Sequence, residues 1–128
     1  MNERSFDELK QDVASAMSIS DPARLLRLAA DIDAFDTPEA VAVAENARGV
    51  AHVYLGDYAL AIEHLQRSLD AYVTIDGKVG ISVVLGNIGN VYKITGDYPR
   101  ALEYLRRALD MNKDLGNRFG EAVVTGNI

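Results

Sequence analysis

The chain contains no cysteine and no tryptophan, only two histidines and three prolines, and thirteen basic residues against nineteen acidic ones. Without cysteine there is no disulfide, no thiolate nucleophile and no cysteine-ligated zinc. The two histidines, His52 and His64, lack metal-ligand spacing. No stretch approaches the ~20 apolar residues of a membrane-spanning helix, and "MNERSFDELKQD" has no signal-peptide core. A cytoplasmic protein with no membrane partner is therefore expected. The net charge of −6 repels phosphate backbones, and no basic stripe offsets it, so nucleic acid is not an expected partner.

Catalytic and cofactor motifs are missing as well. "DGKVGIS" at 76–82 has Tyr72 where a phosphate loop needs its first glycine, and Val79 where it needs Ser or Thr. "DIDAFD" at 31–36 departs from a calcium loop at Asp36 and Ala42. Neither a glycine-rich dinucleotide turn nor a nucleophile elbow occurs. No enzymatic activity, cofactor or metal is expected.

What the chain does have is an internal repeat. "LGDYALAIEHLQRSLDAY" at 55–72 and "TGDYPRALEYLRRALDMN" at 95–112 align without gaps at a shift of 40. The same shift pairs Gly49 with Gly89, Gly80 with Gly120, and "VVLGNI" at 83–88 with "VVTGNI" at 123–128. Repetition at such a period signals stacked supersecondary units. Each unit reads as two helices. Ile81, Val84, Leu85, Ile88, Val91 and Tyr92 recur at helical spacing and form one apolar stripe. Gly96 ends that helix, Asp97 caps the next, and Pro99 falls in its first turn. Ala101, Leu102, Leu105, Ala108 and Leu109 make the stripe of the second helix. In the earlier unit Thr37 caps, Pro38 opens the helix, Gly56-Asp57-Tyr58 turns the chain, and Ala61, Ile62, Leu65 and Leu69 face inward.

These residues resemble the tetratricopeptide repeat (TPR). That family places a small residue midway in helix A, Gly-Asp-Tyr at the turn, and alanine early and late in helix B. Here those are Gly89, Gly96-Asp97-Tyr98, Ala101 and Ala108, and in the earlier unit Gly49, Gly56-Asp57-Tyr58 and Ala61, with Ser68 replacing the last alanine. His52 departs from the aromatic that Tyr92 supplies. The 40-residue unit is longer than the common one of about 34 and is similar to the subgroup with extended helices. The resemblance implies an all-α fold, an α-solenoid of antiparallel helix pairs in a right-handed superhelix with about seven helices. Its expected divisions are a degenerate first repeat or capping pair over 1–37, repeats over 38–77 and 78–117, and a truncated helix A over 118–128. Ser5 to Glu8 has capping-box spacing, and Asp21-Pro22 restarts a helix within the first segment.

The stretch "GNIGN" at 86–90 is unusual inside a helix, because glycine and asparagine are poor helix formers. At about 100° per residue, Val83, Asn87, Asn90 and Ile94 fall on a second face, away from the core stripe. The resemblance implies that helices A line a concave groove. The expected groove residues are Val43, Ala47, Val50 and Tyr54 from the first unit, Val83, Asn87, Asn90, Lys93 and Ile94 from the second, and Val123 and Asn127 beyond. An asparagine amide is both donor and acceptor and can pair with an extended main chain of any sequence. Asn87 and Asn127 could equally bond a neighbouring helix. Gly49 and Gly89 read as close-packing residues. Gly86 and Gly126 either make another tight contact or open the groove. A bound segment is expected to place an apolar side chain at the first unit and bare backbone at the second. Only Lys93 is basic in the groove, unlike TPR domains that clamp a terminal carboxylate with several cations.

By the repeat, the last helix would run to about residue 135, and the sequence stops at Ile128. This suggests a fragment, or an edge completed by another copy through residues 116–128, with Val123, Val124 and Ile128 unpartnered. The expected function is a protein-interaction module for an extended peptide. The alternative is a regulatory or sensor arm of a larger bacterial signalling protein, such as a nucleotide cyclase, kinase or transcription regulator.

Overall fold

The computed structural model describes residues 4–127 as seven helices: α1 (Phe6–Ser18), α2 (Pro22–Asp33), α3 (Pro38–Tyr54), α4 (Tyr58–Thr74), α5 (Lys78–Thr95), α6 (Tyr98–Asp114) and α7 (Arg118–Asn127). Among the described residues there is no strand. The helix starts follow from local chemistry. Side-chain oxygens of Ser5, Asp21, Thr37, Asp57 and Asp97 accept from the backbone N–H three residues on, at 3.1–3.3 Å. Each such cap contributes about 1 kcal/mol. Gly56 and Gly96 turn the chain at φ 79° and 86°, where a side chain would be strained. Helix α5 is the exception, since Gly77 offers no side-chain cap.

Consecutive helices pack on one another, and α1 also touches α3 as α3 touches α5. The result is an all-α repeat in which alternate helices lie side by side. Two apolar clusters hold it. The first joins α1, α2 and α3 through Leu9, Val13, Leu25, Leu28, Ile32 and Ala44. The second joins α4 to α7 through Leu65, Leu69, Val84, Leu85, Ile88 and Leu105. Gly49 and Gly89 allow the close approach within each pair. A Cβ on Gly49 would meet the Leu65 side chain at 2.5 Å, and one on Gly89 would meet Leu105 at 2.8 Å. Gly86 is different, because nothing lies within 4 Å of a Cβ built there. The tight-contact alternative for Gly86 is therefore wrong.

Substitutions between the units are matched across each helix pair. Ser68 of α4 donates to the Ala42 carbonyl of α3 at 2.6 Å. Forty residues on, the small residues exchange sides: Ser82 of α5 faces Ala108 of α6 and donates to Asn112 Oδ1 at 2.7 Å. The His52 and His64 rings stack at 5.4 Å, and their counterparts Tyr92 and Tyr104 stack at 5.7 Å. The histidines therefore hold a packing place that tyrosines hold in the next unit. One expectation for the last helix fails. Val124 is buried against the second cluster, so only Val123 and Phe119 present large exposed apolar side chains on α7.

Candidate functional site

The cleft between α3 and α5 contains two hollows. The first, about 540 Å³, is lined by Val50, Val53 and Tyr54 of α3, by Asn87, Asn90, Val91, Lys93 and Ile94 of α5, and by Tyr98. The second, about 460 Å³, sits at the other end of the same helices. It is lined by Glu39, by Tyr72 and Ile75 at the end of α4, and by Gly77, Lys78, Val79, Gly80 and Val83.

The first hollow gathers six of the expected groove residues: Val50, Tyr54, Asn87, Asn90, Lys93 and Ile94. The two helices are set so that the C-terminal turn of each contributes large side chains. Tyr54 is anchored at its tip, where its hydroxyl donates to the Met17 carbonyl at 3.1 Å. Ile94 and Tyr98 are exposed at the rim. The asparagines divide their work. Asn87 donates to Asn46 Oδ1 of α3 at 3.0 Å and ties the two helices together. Asn90, half-buried and one turn further on, opens into the hollow with no hydrogen-bond partner among the described residues. Its amide can accept and donate to a main chain lying across the apolar wall.

The remaining expected residues lie elsewhere. Val83 is 49% exposed and lines the second hollow. Val43 is half-buried and packs on the α1–α3 core. Ala47 is fully buried in that core and is not a groove residue. Its methyl is too short to emerge where α3 is flanked by both α1 and α5. Val123 is half-exposed on α7, and the Asn127 side chain lies outside the described residues, as does Ile128. Sequence reasoning missed Val53, Val91, Tyr98 and Asn46. A signal for Asn46 was present, because it stands 41 residues before Asn87, one repeat plus one residue.

Electrostatics differ between the hollows. At the second, Glu39 is held by Lys10 at 3.2 Å, and that hydrogen bond raises the ammonium above its ordinary value. Burial pushes the Tyr72 hydroxyl up, and the Glu39 charge adds to the shift. Both groups stay in their ordinary protonation states near neutral pH. Neither hollow holds a nucleophile with an adjacent base. Among the described residues no cluster of His, Asp and Glu could hold a metal ion, and no helix is long and apolar enough to cross a membrane. The chemistry on offer is side-chain burial and main-chain hydrogen bonding.

The tetratricopeptide repeat family model matches residues 40–114, which covers α4 to α6, α3 from its third residue on, and every lining residue of the hollows except Glu39. No curated protein matches the chain.

Proposed function

The chain belongs to the tetratricopeptide repeat family, whose members generally mediate protein–protein interaction, and on that premise we propose that it holds an extended segment of a partner protein in the cleft between α3 and α5. The observation that carries this reading is the half-buried Asn90 amide facing an apolar hollow walled by Val50, Tyr54, Val91 and Ile94. The amide is open to the cleft and is both donor and acceptor, so a passing peptide group can pair with it whatever its side chain. An apolar side chain of the segment fills the hollow, and its backbone crosses Asn90. The Asn87–Asn46 bond keeps the cleft at constant width and is not itself a ligand contact.

A photo-crosslinking residue at position 90, compared with one at Glu103 on α6, tests the proposal in extract from cells expressing the protein. A discrete protein adduct at 90, absent at 103 and suppressed by Ile94→Asp, is expected. Adducts of equal yield at both positions would refute it. The mass of the adduct also separates a partner protein from an attached domain, which is the regulatory-arm reading.

A further inference from the structure

The two hollows lie in one cleft, and the Asn46–Asn87 hydrogen bond forms a polar saddle between them. Val79, Val83, Asn87, Asn90 and Ile94 succeed one another at three- and four-residue steps, so they share one face of α5. The lining residues of the two hollows stand about eleven residues apart on α5 and about thirteen apart on α3, roughly 16–20 Å at 1.5 Å per residue. An extended chain rises about 3.3 Å per residue and sends alternate side chains to the same side. Only an even separation points two side chains into the cleft together. Four residues span only about 13 Å and six span about 20 Å, so six is the separation that fits.

Charge adds a second constraint. At the second hollow Glu39 is engaged by Lys10, whereas Lys78 is exposed on the rim and pairs with no carboxylate among the described residues. We infer that the occupant is an extended peptide segment with two apolar side chains six residues apart, one in each hollow, its backbone crossing the Asn46–Asn87 saddle, and an acidic residue beyond the second anchor facing Lys78. This rests on the proposed peptide-binding role of the first hollow and specifies the ligand it selects. The second hollow is a specificity site that the family match alone does not assign.

The probe is a synthetic series of short Ser/Gly peptides bearing two leucines at separations from three to eight, with and without an aspartate beyond the second leucine, measured by fluorescence anisotropy. The separation of six should bind best, with affinity at least about tenfold above a single-leucine peptide. Val83→Asp and Ile94→Asp should each reduce it to the single-anchor level, and Lys78→Glu should cost a few-fold only for the aspartate-bearing peptides. Both valine and isoleucine sites are exposed, so the variants should keep wild-type helicity by circular dichroism. Affinity that depends on Ile94 but on neither Val83 nor separation would overturn the two-anchor inference and leave the groove reading intact. Failure of the whole series to bind, or insensitivity to both variants, would overturn both. Self-association of the protein alone that Val83→Asp abolishes would assign the hollows to a second copy and also overturn the inference.

Discussion

The α3–α4 and α5–α6 pairs share one backbone plan but fill its centre with different chemistry. In the first pair Glu45 receives Arg48 at 2.9 Å and meets His64 Nδ1 at 2.7 Å, Arg48 also bonds Asp33, and His64 stacks on His52. Forty residues on, the places of Glu45, Arg48, His64 and His52 hold Leu85, Ile88, Tyr104 and Tyr92, two of them deep in an apolar cluster. The repeat conserves size and spacing more strictly than polarity. A polar set survives in a core position when every member is satisfied, and no buried side-chain polar atom among the described residues lacks a partner.

That comparison breaks most sharply at Glu45. Glu45→Leu alone leaves His64 without its partner and Arg48 with Asp33 only, and should cost about 1.5–3 kcal/mol in urea unfolding. Replacing all four residues by their second-unit counterparts should cost far less and could raise stability, because a complete polar set exchanged for packed apolar side chains is often neutral or favourable. A quadruple variant less stable than Glu45→Leu would mean that the two pairs are not interchangeable.

The glycines come next, and their signs should differ. Gly89→Ala pushes a methyl into Leu105 and should lose about 1–3 kcal/mol. Gly86→Ala, one turn away, meets open space and should gain up to about 1 kcal/mol from helix propensity. Thermal melts of the two variants should move in opposite directions. A shift in the same direction would contradict the distinction between packing and open glycines.

The exchanged serines predict a smaller effect with a rescue. Ser68→Ala removes one hydrogen bond and should cost about 1 kcal/mol. Adding Ala42→Ser exchanges the small residues as in the second unit but leaves Tyr72 where Ser82 has Asn112, so it should recover only part of the loss, read as a coupling in a double-mutant cycle. The smallest effect concerns pH. Tyr72, whose second-unit counterpart is Asn112, has its pKa raised by burial and then by Glu39. Its contribution is complete below the ordinary tyrosine value of about 10 and is lost as pH rises through the higher folded value. Alkaline unfolding of Tyr72→Phe should therefore fall less steeply above that pH than wild type.

Much of this was legible in the sequence, because helices, caps and the packing glycines are set by local spacing and by the 40-residue shift. Thr37, Asp57 and Asp97 announce helix starts, and Gly49 and Gly89 occupy equivalent close approaches. The groove was only partly legible. A single-helix projection places Ala47 and Val83 on the groove face, yet Ala47 is buried in the first apolar cluster, and the projection does not show that Val83 and Asn90 line separate hollows of the cleft. Both outcomes depend on how α3 sits between its neighbours, which no one helix encodes. The same holds for the asparagines: their face was visible, and which of them ties helices together was not, because Asn46 belongs to a different repeat.

The most direct test is to follow the side-chain amide resonances of Asn87 and Asn90 by NMR while adding the two-leucine peptide of separation six. The expected result is that the Asn90 amide shifts with ligand while the Asn87 amide, still bonded to Asn46, stays in place. Shifts confined to the outer faces of α4 and α6, with Asn90 unmoved at saturation, would contradict it.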